Sequence, residues 1–358
     1  MLNSKLQIKT FDPHKATEAD FVAMNKFRNR MQAEYWPEDP LRTVEETMRA
    51  WRSIPPYLEE HVWTVWSADS IVALGSAEIS RTQDNQHMAW FEIEVLPEYR
   101  RQRIAKHLLK LISEVARREK RHLMMSFTDS EIPAGLEFMK RLGARPGMES
   151  RTNQLNLADL DRTLLREWQD QAPTDESALG LWDGPFPEAE IDAIVEMKSA
   201  IVSSMPRDNL ELEDRKFTKK ELRQREESLV EQKMERWTLY AKHRATGELA
   251  GYTEVFWESF QPETLRQGDT GIYPKYRNKG LGRWLKAAMV EKVLRERPQV
   301  KRIRMGNANS NAPMLKINCE MGFKPYKNWT TWQIELEKVL KYLEIANQPE
   351  ASTVRSRR

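Results

Sequence analysis

Cysteine is nearly absent from this chain of 358 residues, and Cys319 is the only one. A single thiol excludes an internal disulfide, and the paired-cysteine patterns of zinc sites are missing as well. A reducing, cytoplasmic setting is the default prediction. Cys319 falls inside a predicted helix, where we expect a small buried hydrophobic side chain without a catalytic role.

Long apolar runs are missing too. No stretch reaches the roughly 18 apolar residues of a membrane-spanning helix, and the first ten residues lack the apolar core of a signal peptide. Neither sign of charge is in excess, because 57 Lys and Arg face 54 Asp and Glu, a net charge of +3. The sequence therefore predicts neither a membrane nor a nucleic-acid partner.

The chain does contain a repeat of itself. Five short segments recur in the same order, at a nearly constant spacing of roughly 175 residues. The pairs are Trp63–Trp66 with Trp237–Tyr240, Leu74–Glu78 with Ala250–Glu254, Val95–Arg100 with Ile272–Arg277, Leu142–Pro146 with Met321–Pro325, and Thr152–Leu157 with Thr331–Leu336. Their constant order indicates one fold built twice.

The repeat sets the predicted domain limits. An N-terminal unit covers 1–157, a bridging segment 158–185, a C-terminal unit 186–340 and a polar tail 341–358. The tail ends in four residues of which three are arginine, and we expect a frayed terminus there rather than a nucleic-acid contact. Two units in one chain can act as a monomer that imitates a dimer.

Each unit is predicted to be a mixed α/β domain, with a mostly antiparallel sheet flanked by helices. Apolar spacing and turn residues place the elements. In the N-terminal unit they are a helix over 18–35, a hairpin over 62–79, a third strand over 89–96 and a long amphipathic helix from Ile104. In the C-terminal unit they are a helix over 187–202, a charged helix over 218–236, a hairpin over 237–257, a third strand over 268–273 and a long helix from Leu281.

The most informative segment lies between the third strand and the long helix of the C-terminal unit, where Arg277 to Gly282 read Arg-Asn-Lys-Gly-Leu-Gly. Two glycines let the backbone approach a ligand closely, and a helix N-terminus offers free amides to an anion. Arg277, Lys279 and Arg283 add positive charge. A pyrophosphate would suit this turn, although a tight turn without a ligand would look the same in sequence.

These residues resemble a known family. The pattern Arg277-x-x-Gly280-x-Gly282 is similar to the acetyl-coenzyme A pyrophosphate loop of the GNAT family of N-acetyltransferases, and the run from Asn309 to Phe323 resembles that family's second motif. The two-unit organisation resembles mycothiol synthase and related tandem members. The resemblance implies acetyl-coenzyme A as acyl donor. It assigns to the donor Ile272, Tyr273, Arg277, Asn278, Lys279, Gly280, Leu281, Gly282, Arg283, Asn309 and Asn311.

The N-terminal unit departs from this pattern. Arg103 stands where the first glycine belongs, Thr128-Asp-Ser replaces the asparagine cluster, and Ala144 replaces the phenylalanine of the second motif. The side chain of Arg103 would either crowd a pyrophosphate or point away from it. We predict impaired or absent cofactor binding in this unit.

The resemblance also implies a mechanism, in which an amine attacks the thioester directly within a ternary complex. Candidate bases are Glu254 and Asp269, whose counterparts by sequence are Glu78 and Glu92; a structural role would explain each carboxylate equally well. Asn318 occupies the place of the family's usual tyrosine acid. Water, Tyr273 or another group must then serve the leaving thiolate.

Two functions remain open from the sequence. One is an N-acetyltransferase that acts on a primary amine of a small molecule or peptide. The other is a catalytically silent acyl-coenzyme A-binding or docking module that has kept the fold. The intact turn favours the first, while the missing tyrosine and the altered N-terminal unit favour the second. The acceptor amine has no readable signature.

Overall fold

The computed structural model describes residues 4–345. The predicted tail from Asn347 to Arg358 lies outside the described residues. The N-terminal unit contains six strands and four helices in chain order. They are β1 (Leu6–Phe11), α1 (Glu18–Tyr35), α2 (Val44–Arg52), β2 (Leu58–Ser67), β3 (Ser70–Ser80), β4 (Met88–Val95), α3 (Ile104–Arg118), β5 (Leu123–Asp129), α4 (Pro133–Leu142) and β6 (Arg145–Asn156).

The C-terminal unit repeats this order and adds a helix at each end. Its elements are α5 (Arg162–Asp170), β7 (Ser177–Asp183), α6 (Ile191–Ser203), α7 (Lys219–Glu231), β8 (Met234–His243), β9 (Leu249–Glu258), β10 (Thr264–Ile272), α8 (Leu281–Glu296), β11 (Arg302–Ala308), α9 (Ala312–Met321), β12 (Lys324–Glu335) and α10 (Leu336–Ile345). The predicted bridge 158–185 therefore holds α5 and β7, and β7 pairs along its length with β8.

Several predicted limits differ from the structure. The first hairpin begins at Leu58 rather than at 62, and the helix predicted from 187 begins at Ile191. The charged helix predicted over 218–236 ends at Glu231: Thr218 and Glu221 form a capping box at its start, and Lys233 adopts a φ of +54° just before β8 begins. Residues 234–236 instead pair with β9. The strand predicted from 268 begins at Thr264, where β10 starts its parallel pairing with β11.

All twelve strands form one continuous mixed sheet, in the order β1-β2-β3-β4-β5-β12-β6-β11-β10-β9-β8-β7. The last strand of each unit lies beside the fifth strand of the other. β12 pairs with β5 from Trp329–Asp129 to Glu335–Leu123, and β6 pairs with β11 from Asn156–Arg302 to Ser150–Ala308. The two units have thus exchanged their final strands at the centre of the sheet.

A fork opens in each unit where two parallel strands part. β10 and β11 pair only from Thr264–Arg302 to Arg266–Arg304, and beyond this point β11 continues beside β6 while β10 continues beside β9. β4 and β5 separate in the same way after Trp90–Met125. We call the gap between β10 and β11 the C-terminal fork.

Helices cover both faces of the sheet. Along β9, Tyr252 packs with Ile194 and Met197 of α6, whereas Val255 joins the core beneath α8. The alternation of side chains along a strand explains this division. The C-terminal fork therefore has an α6 side and an α8 side.

The connection after the first long helix of each unit crosses onto the other unit. After α1, Asp39 binds the buried guanidinium of Arg304 on β11, with Nη1–Oδ2 at 2.7 Å. After α6, Arg215 binds Asp84 at 2.6 Å, and the Asn209 amide donates to the Gly147 carbonyl. These crossing connections and the exchanged strands join the units into one body.

Candidate active site

The turn between β10 and α8 leaves backbone amides exposed. Gly280 precedes the helix with φ +81°, and Asn278 has φ +64°. A Cβ placed on Gly280 would have no heavy atom within 4 Å, and one on Gly282 would come closest to Ile317, at 3.5 Å. No side chain of residues 4–345 caps the start of α8. The start of α8 thus has backbone amides without side-chain partners among the described residues, and its use as an anion site stays a prediction.

Arg277 holds the turn to the strand. Its Nε donates to the Ile272 carbonyl at 3.1 Å and its Nη2 to Ser204 Oγ at 2.6 Å. Arg100 of the N-terminal unit makes the same bond, from Nε to the Val95 carbonyl at 3.0 Å. This arginine therefore shapes the turn in both units.

The other two cations at the turn also have partners. Lys279 pairs with Glu176 at 2.7 Å, and Arg283 pairs with Glu320 at 2.9 Å. All four side chains are at least 32% exposed, so these ion pairs are weak and can exchange for a bound anion.

Two asparagines stand across the fork, at the start of α9. Asn311 is the residue before the helix, yet its side chain does not cap it, and the amide of Asn309 donates to the Glu149 carbonyl. Within residues 4–345 neither side chain has a hydrogen-bond partner. Neither side chain therefore caps α9.

Asn318 is buried on α9, where the tyrosine acid was expected. Its Nδ2 donates to Asn307 Oδ1 on β11 at 2.9 Å, while its own Oδ1 has no hydrogen-bond partner among the described residues. A buried carbonyl oxygen without a donor is unfavourable. A ligand N–H in the fork would satisfy it.

A β-bulge lies in β10 opposite Glu254. Gln267 pairs with Val255 and Thr270 with Thr253, so Gly268 and Asp269 together face one residue of β9. β4 has no such bulge. There Glu92 pairs with Ser76, and Glu78 pairs with Trp90 two residues further along. The sequence-based correspondence of Glu254 with Glu78 is therefore wrong by two residues.

Glu254 belongs to a buried charged cluster on the α6 side. Lys198 Nζ lies 3.3 Å from both carboxylate oxygens of Glu254 and donates to Tyr252 Oη at 3.0 Å. Burial alone would raise the pKa of the Glu254 carboxyl, but the charge of Lys198, with Arg225 and Arg236, leaves it lowered. Glu254 is thus held as a carboxylate and is a weak base.

Asp269 differs in its exposure and in its pKa. Its side chain is 38% exposed, and it accepts a hydrogen bond from Tyr252 Oη at 3.2 Å. Desolvation and the nearby Glu254 charge raise the pKa of the Asp269 carboxyl, despite Lys198 at 4.0 Å. The bulge therefore brings an accessible, more basic carboxylate to the α6 side of the fork.

Tyr273 directly follows β10, and its hydroxyl reaches α6. Its hydroxyl donates to Glu196 Oε1 at 3.2 Å, and burial with the Glu196 charge raises the pKa of that hydroxyl. The hydroxyl is therefore committed to α6, whereas Asn318 lies on α9.

A profile of the acetyltransferase (GNAT) family matches residues 23–144 and 204–323. The chain belongs to the GNAT family. Each match covers most of one unit, so this is a tandem GNAT protein. No curated protein sequence matches it.

Solved structures share the tandem GNAT fold. A tandem GNAT protein from the clavulanic acid biosynthesis pathway has a TM-score of 0.75 at 24% identity, over 92% of this chain and 98% of that one. A GCN5-related N-acetyltransferase from Sphaerobacter thermophilus has a TM-score of 0.66 at 14% identity, over 94% and 97%. At these identities the similarity shows the fold alone.

The N-terminal GNAT unit forms the same turn with other side chains. Arg103 takes φ +63° where Gly280 takes +81°, and Arg101 takes +63° where Asn278 takes +64°. Arg103 is exposed, and Ala105 stands in place of Gly282. The two turns therefore have the same backbone conformation. If the N-terminal unit has lost cofactor binding, as predicted, the loss would be caused by its side chains.

Two buried lysines were missed from the sequence. Lys198 lies among the apolar residues of α6, and Lys286 lies between Leu285 and Ala287 on α8. A lysine inside an apolar helical stripe is the signal that would have found both, because an unpaired lysine is rarely buried. Cys319, expected to be buried, is exposed.

Residues 4–345 contain no group of three His, Cys, Asp or Glu side chains able to hold a metal ion. No helix in that range is long and apolar enough to cross a membrane.

Proposed function

We propose that the chain transfers an acetyl group from acetyl-coenzyme A to a primary amine of a small molecule or peptide. The observation that carries the proposal is the open turn at Gly280–Gly282, which leads directly into the C-terminal fork. Family membership supports the reaction class.

The donor fits the residues present. The free amides at the start of α8 suit its pyrophosphate, with Lys279 and Arg283 able to exchange their surface partners for phosphate. The unpartnered side chains of Asn309 and Asn311, and the orphan oxygen of Asn318, suit the amides of its pantetheine arm.

The α6 side suits the acceptor. Asp269 is the base that the structure favours, because it is accessible and its pKa is raised toward neutrality. Glu254 and Lys198 position it through Tyr252. An amine that loses its proton to Asp269 can attack a thioester held between the strands.

Calorimetry with acetyl-coenzyme A tests the turn. Gly282→Asp has room for its side chain and places a carboxylate at the free amides of α8. We expect affinity to fall by about tenfold or more, because the anion site is then occupied and negative. Ala105→Asp makes the matched change in the N-terminal unit and should leave affinity unchanged.

A screen of amines for thiol release tests catalysis. Turnover of one or more amines by the wild type, lost in Gly282→Asp, supports the transferase. Tight binding without turnover of any amine would favour the silent module, which the absence of the tyrosine acid at Asn318 suggests. Equal affinity of Gly282→Asp and the wild type would contradict the assignment of the turn.

A further inference from the structure

Lys286 is a buried amine without a carboxylate partner. Its side chain is on α8, and the residue is 1% exposed. Its Nζ donates to Gln267 Oε1 at 2.9 Å and lies 3.7 Å from Met305 Sδ and 5.2 Å from the centre of the Phe323 ring. Burial alone lowers the pKa of this amine to about 7.

These contacts place Nζ at the inner end of the C-terminal fork. Arg266 and Arg304 form the last pair between β10 and β11, and Gln267 and Met305 are the next residue on each strand. The open end of the fork is the turn, where a Cβ on Gly282 would lie 3.9 Å from Ile272. A chain that enters at the turn and follows β10 inward ends beside Lys286.

No other titratable group faces Nζ from the described elements packed against it. Gln267, Met305 and Phe323 are neutral. The charged residues that precede them on the strands point to the opposite face, where Arg266 pairs with Glu258 and Arg304 with Asp39. A group bound in the fork can therefore determine whether Lys286 is protonated.

The N-terminal unit supplies a comparison within the same chain. Positions on the two long helices are compared by counting from the left-handed residue before each helix. Polar residues of the C-terminal fork then correspond to apolar residues of the fork between β4 and β5. Lys286 corresponds to Leu109, Gln267 to Phe91 by strand pairing, and the bonded pair Thr253–Thr270 to Gly75–Ile93. Gln267 Nε2 also donates to both threonines, at 3.0 and 2.8 Å. The core of this fold thus does not require polar groups here.

We propose that Lys286 stabilises and protonates the thiolate of coenzyme A that leaves during acyl transfer. This inference rests on the proposed function. The amine nitrogen forms a bond to the thioester carbon and releases one proton to water, the carbon–sulfur bond breaks, and sulfur keeps the electron pair. The Lys286 ammonium gives one proton to that sulfur and becomes a neutral amine, which regains a proton from water. Lys286 thereby fills the role left empty at Asn318.

The test uses two ligands that need no acceptor amine: coenzyme A, and desulfo-coenzyme A, which lacks the sulfur. If a Lys286 ammonium pairs with the thiolate, the thiol of bound coenzyme A loses its proton more easily. Calorimetry from pH 6 to 9 should then show that the wild type prefers coenzyme A over desulfo-coenzyme A by about threefold near pH 8, the effect of about two pKa units of coupling. The preference should weaken toward pH 6, where the thiol is protonated, and toward pH 9, where Lys286, with its pKa of about 7, is neutral.

Lys286→Met should abolish this preference. Lys292→Met is the matched control, because Lys292 is a nearly buried lysine on the same helix that pairs with Glu296 at 2.5 Å. We expect the control to keep the preference. An unchanged preference in Lys286→Met would overturn this inference alone, whereas a wild type that binds neither ligand would overturn the proposed function with it.

Thermal melting shows that the variant is folded. The folded-state pKa of Lys286 lies below its unfolded value, so its burial destabilises the protein below pH 7 and this penalty disappears as the pH rises toward 10. Lys286→Met should therefore melt at a higher temperature at pH 6, with a difference that shrinks at pH 9. Lys286→Leu, which copies Leu109, provides a second variant for the binding comparison.

Discussion

At the residue scale, two carboxylates of one cluster have opposite properties. Glu254 is 4% exposed and bonded to Lys198, whereas Asp269 reaches the surface at the bulge. Their pKa values are shifted in opposite directions, down for Glu254 and up for Asp269. Groups whose environments separate their pKa values divide into positioning and proton-transfer roles.

This division predicts two pH profiles for amine acetylation. Activity of the wild type should rise with pH through the raised pKa of Asp269, because the base acts when deprotonated. Asp269→Asn should remove that limb and lower kcat/KM by about 10²–10⁴-fold. Glu254→Gln should keep the limb but shift it to lower pH, because the Glu254 charge no longer raises the pKa of Asp269.

Stability separates the same two variants. Glu254→Gln leaves the buried Lys198 without its main partner and should destabilise the fold by about 3 kcal/mol. Asp269→Asn should have a smaller effect. Thermal unfolding measures the change in stability, and thiol release measures the pH profile of activity. If Asp269→Asn kept the full acid limb of that profile, Asp269 would be excluded as the base.

At the element scale, the two strand-to-helix turns share a backbone conformation although their side chains differ. Arg103 and Gly280 both adopt left-handed φ values. Only glycine takes this conformation without strain, and other residues are destabilised there by about 1–2 kcal/mol. The N-terminal turn therefore has two strained residues, Arg101 and Arg103, whereas the C-terminal turn has one, Asn278.

Gly280→Ala should lower the free energy of unfolding by about 1 kcal/mol, because its Cβ meets no neighbour and only the backbone is penalised. Arg103→Ala is the control: it replaces one strained side chain with another and should leave the melting temperature nearly unchanged. Equal shifts in the two variants would contradict this difference in backbone strain between the turns.

The sequence predicts most of the helices and strands, but it does not predict which strands pair with each other. The helix over 18–35 is confirmed, because apolar spacing acts locally. The exchange of β6 and β12 could not be predicted. Residues 152–157 and 331–336 resemble each other, so each specifies a strand without specifying which neighbour it takes.

The site was predictable to a similar extent. The turn at Gly280 carries its own signature, and the structure has a left-handed Gly280 and an uncapped helix start there. The bulge at Asp269 and the pairing register that places Glu254 opposite it depend on contacts between strands. Neither the bulge in β10 nor the pairing register of β9 has a local signal, and the correspondence with Glu78 was therefore wrong by two residues.

At the scale of the whole molecule, the exchanged strands place the side chains of one unit in the core of the other. Trp332 of β12 is 4% exposed, packs among residues of α3 and β5, and donates from Nε1 to Thr128 at 2.8 Å. The units should therefore unfold together. The domain limits at 157 and 186 stay a prediction drawn from the repeat.

Trp332→Ala should destabilise the protein by about 3–5 kcal/mol and speed hydrogen exchange in Leu123–Asp129, a strand of the other unit. Trp182→Ala is the control, because Trp182 is similarly buried on β7 at the far edge of the sheet. It should leave that strand protected. Slow exchange of Leu123–Asp129 in Trp332→Ala would indicate that the units open independently.

The exchange of strands also affects how the nascent chain folds during translation. β5 leaves the tunnel roughly 200 residues before the strand that will cover its edge, a delay of about 10–40 s at ordinary rates of translation. Throughout that interval the nascent chain presents an unpaired strand edge, the surface at which polypeptides most readily aggregate. The sheet of the N-terminal unit therefore cannot be completed before β12 has been synthesised.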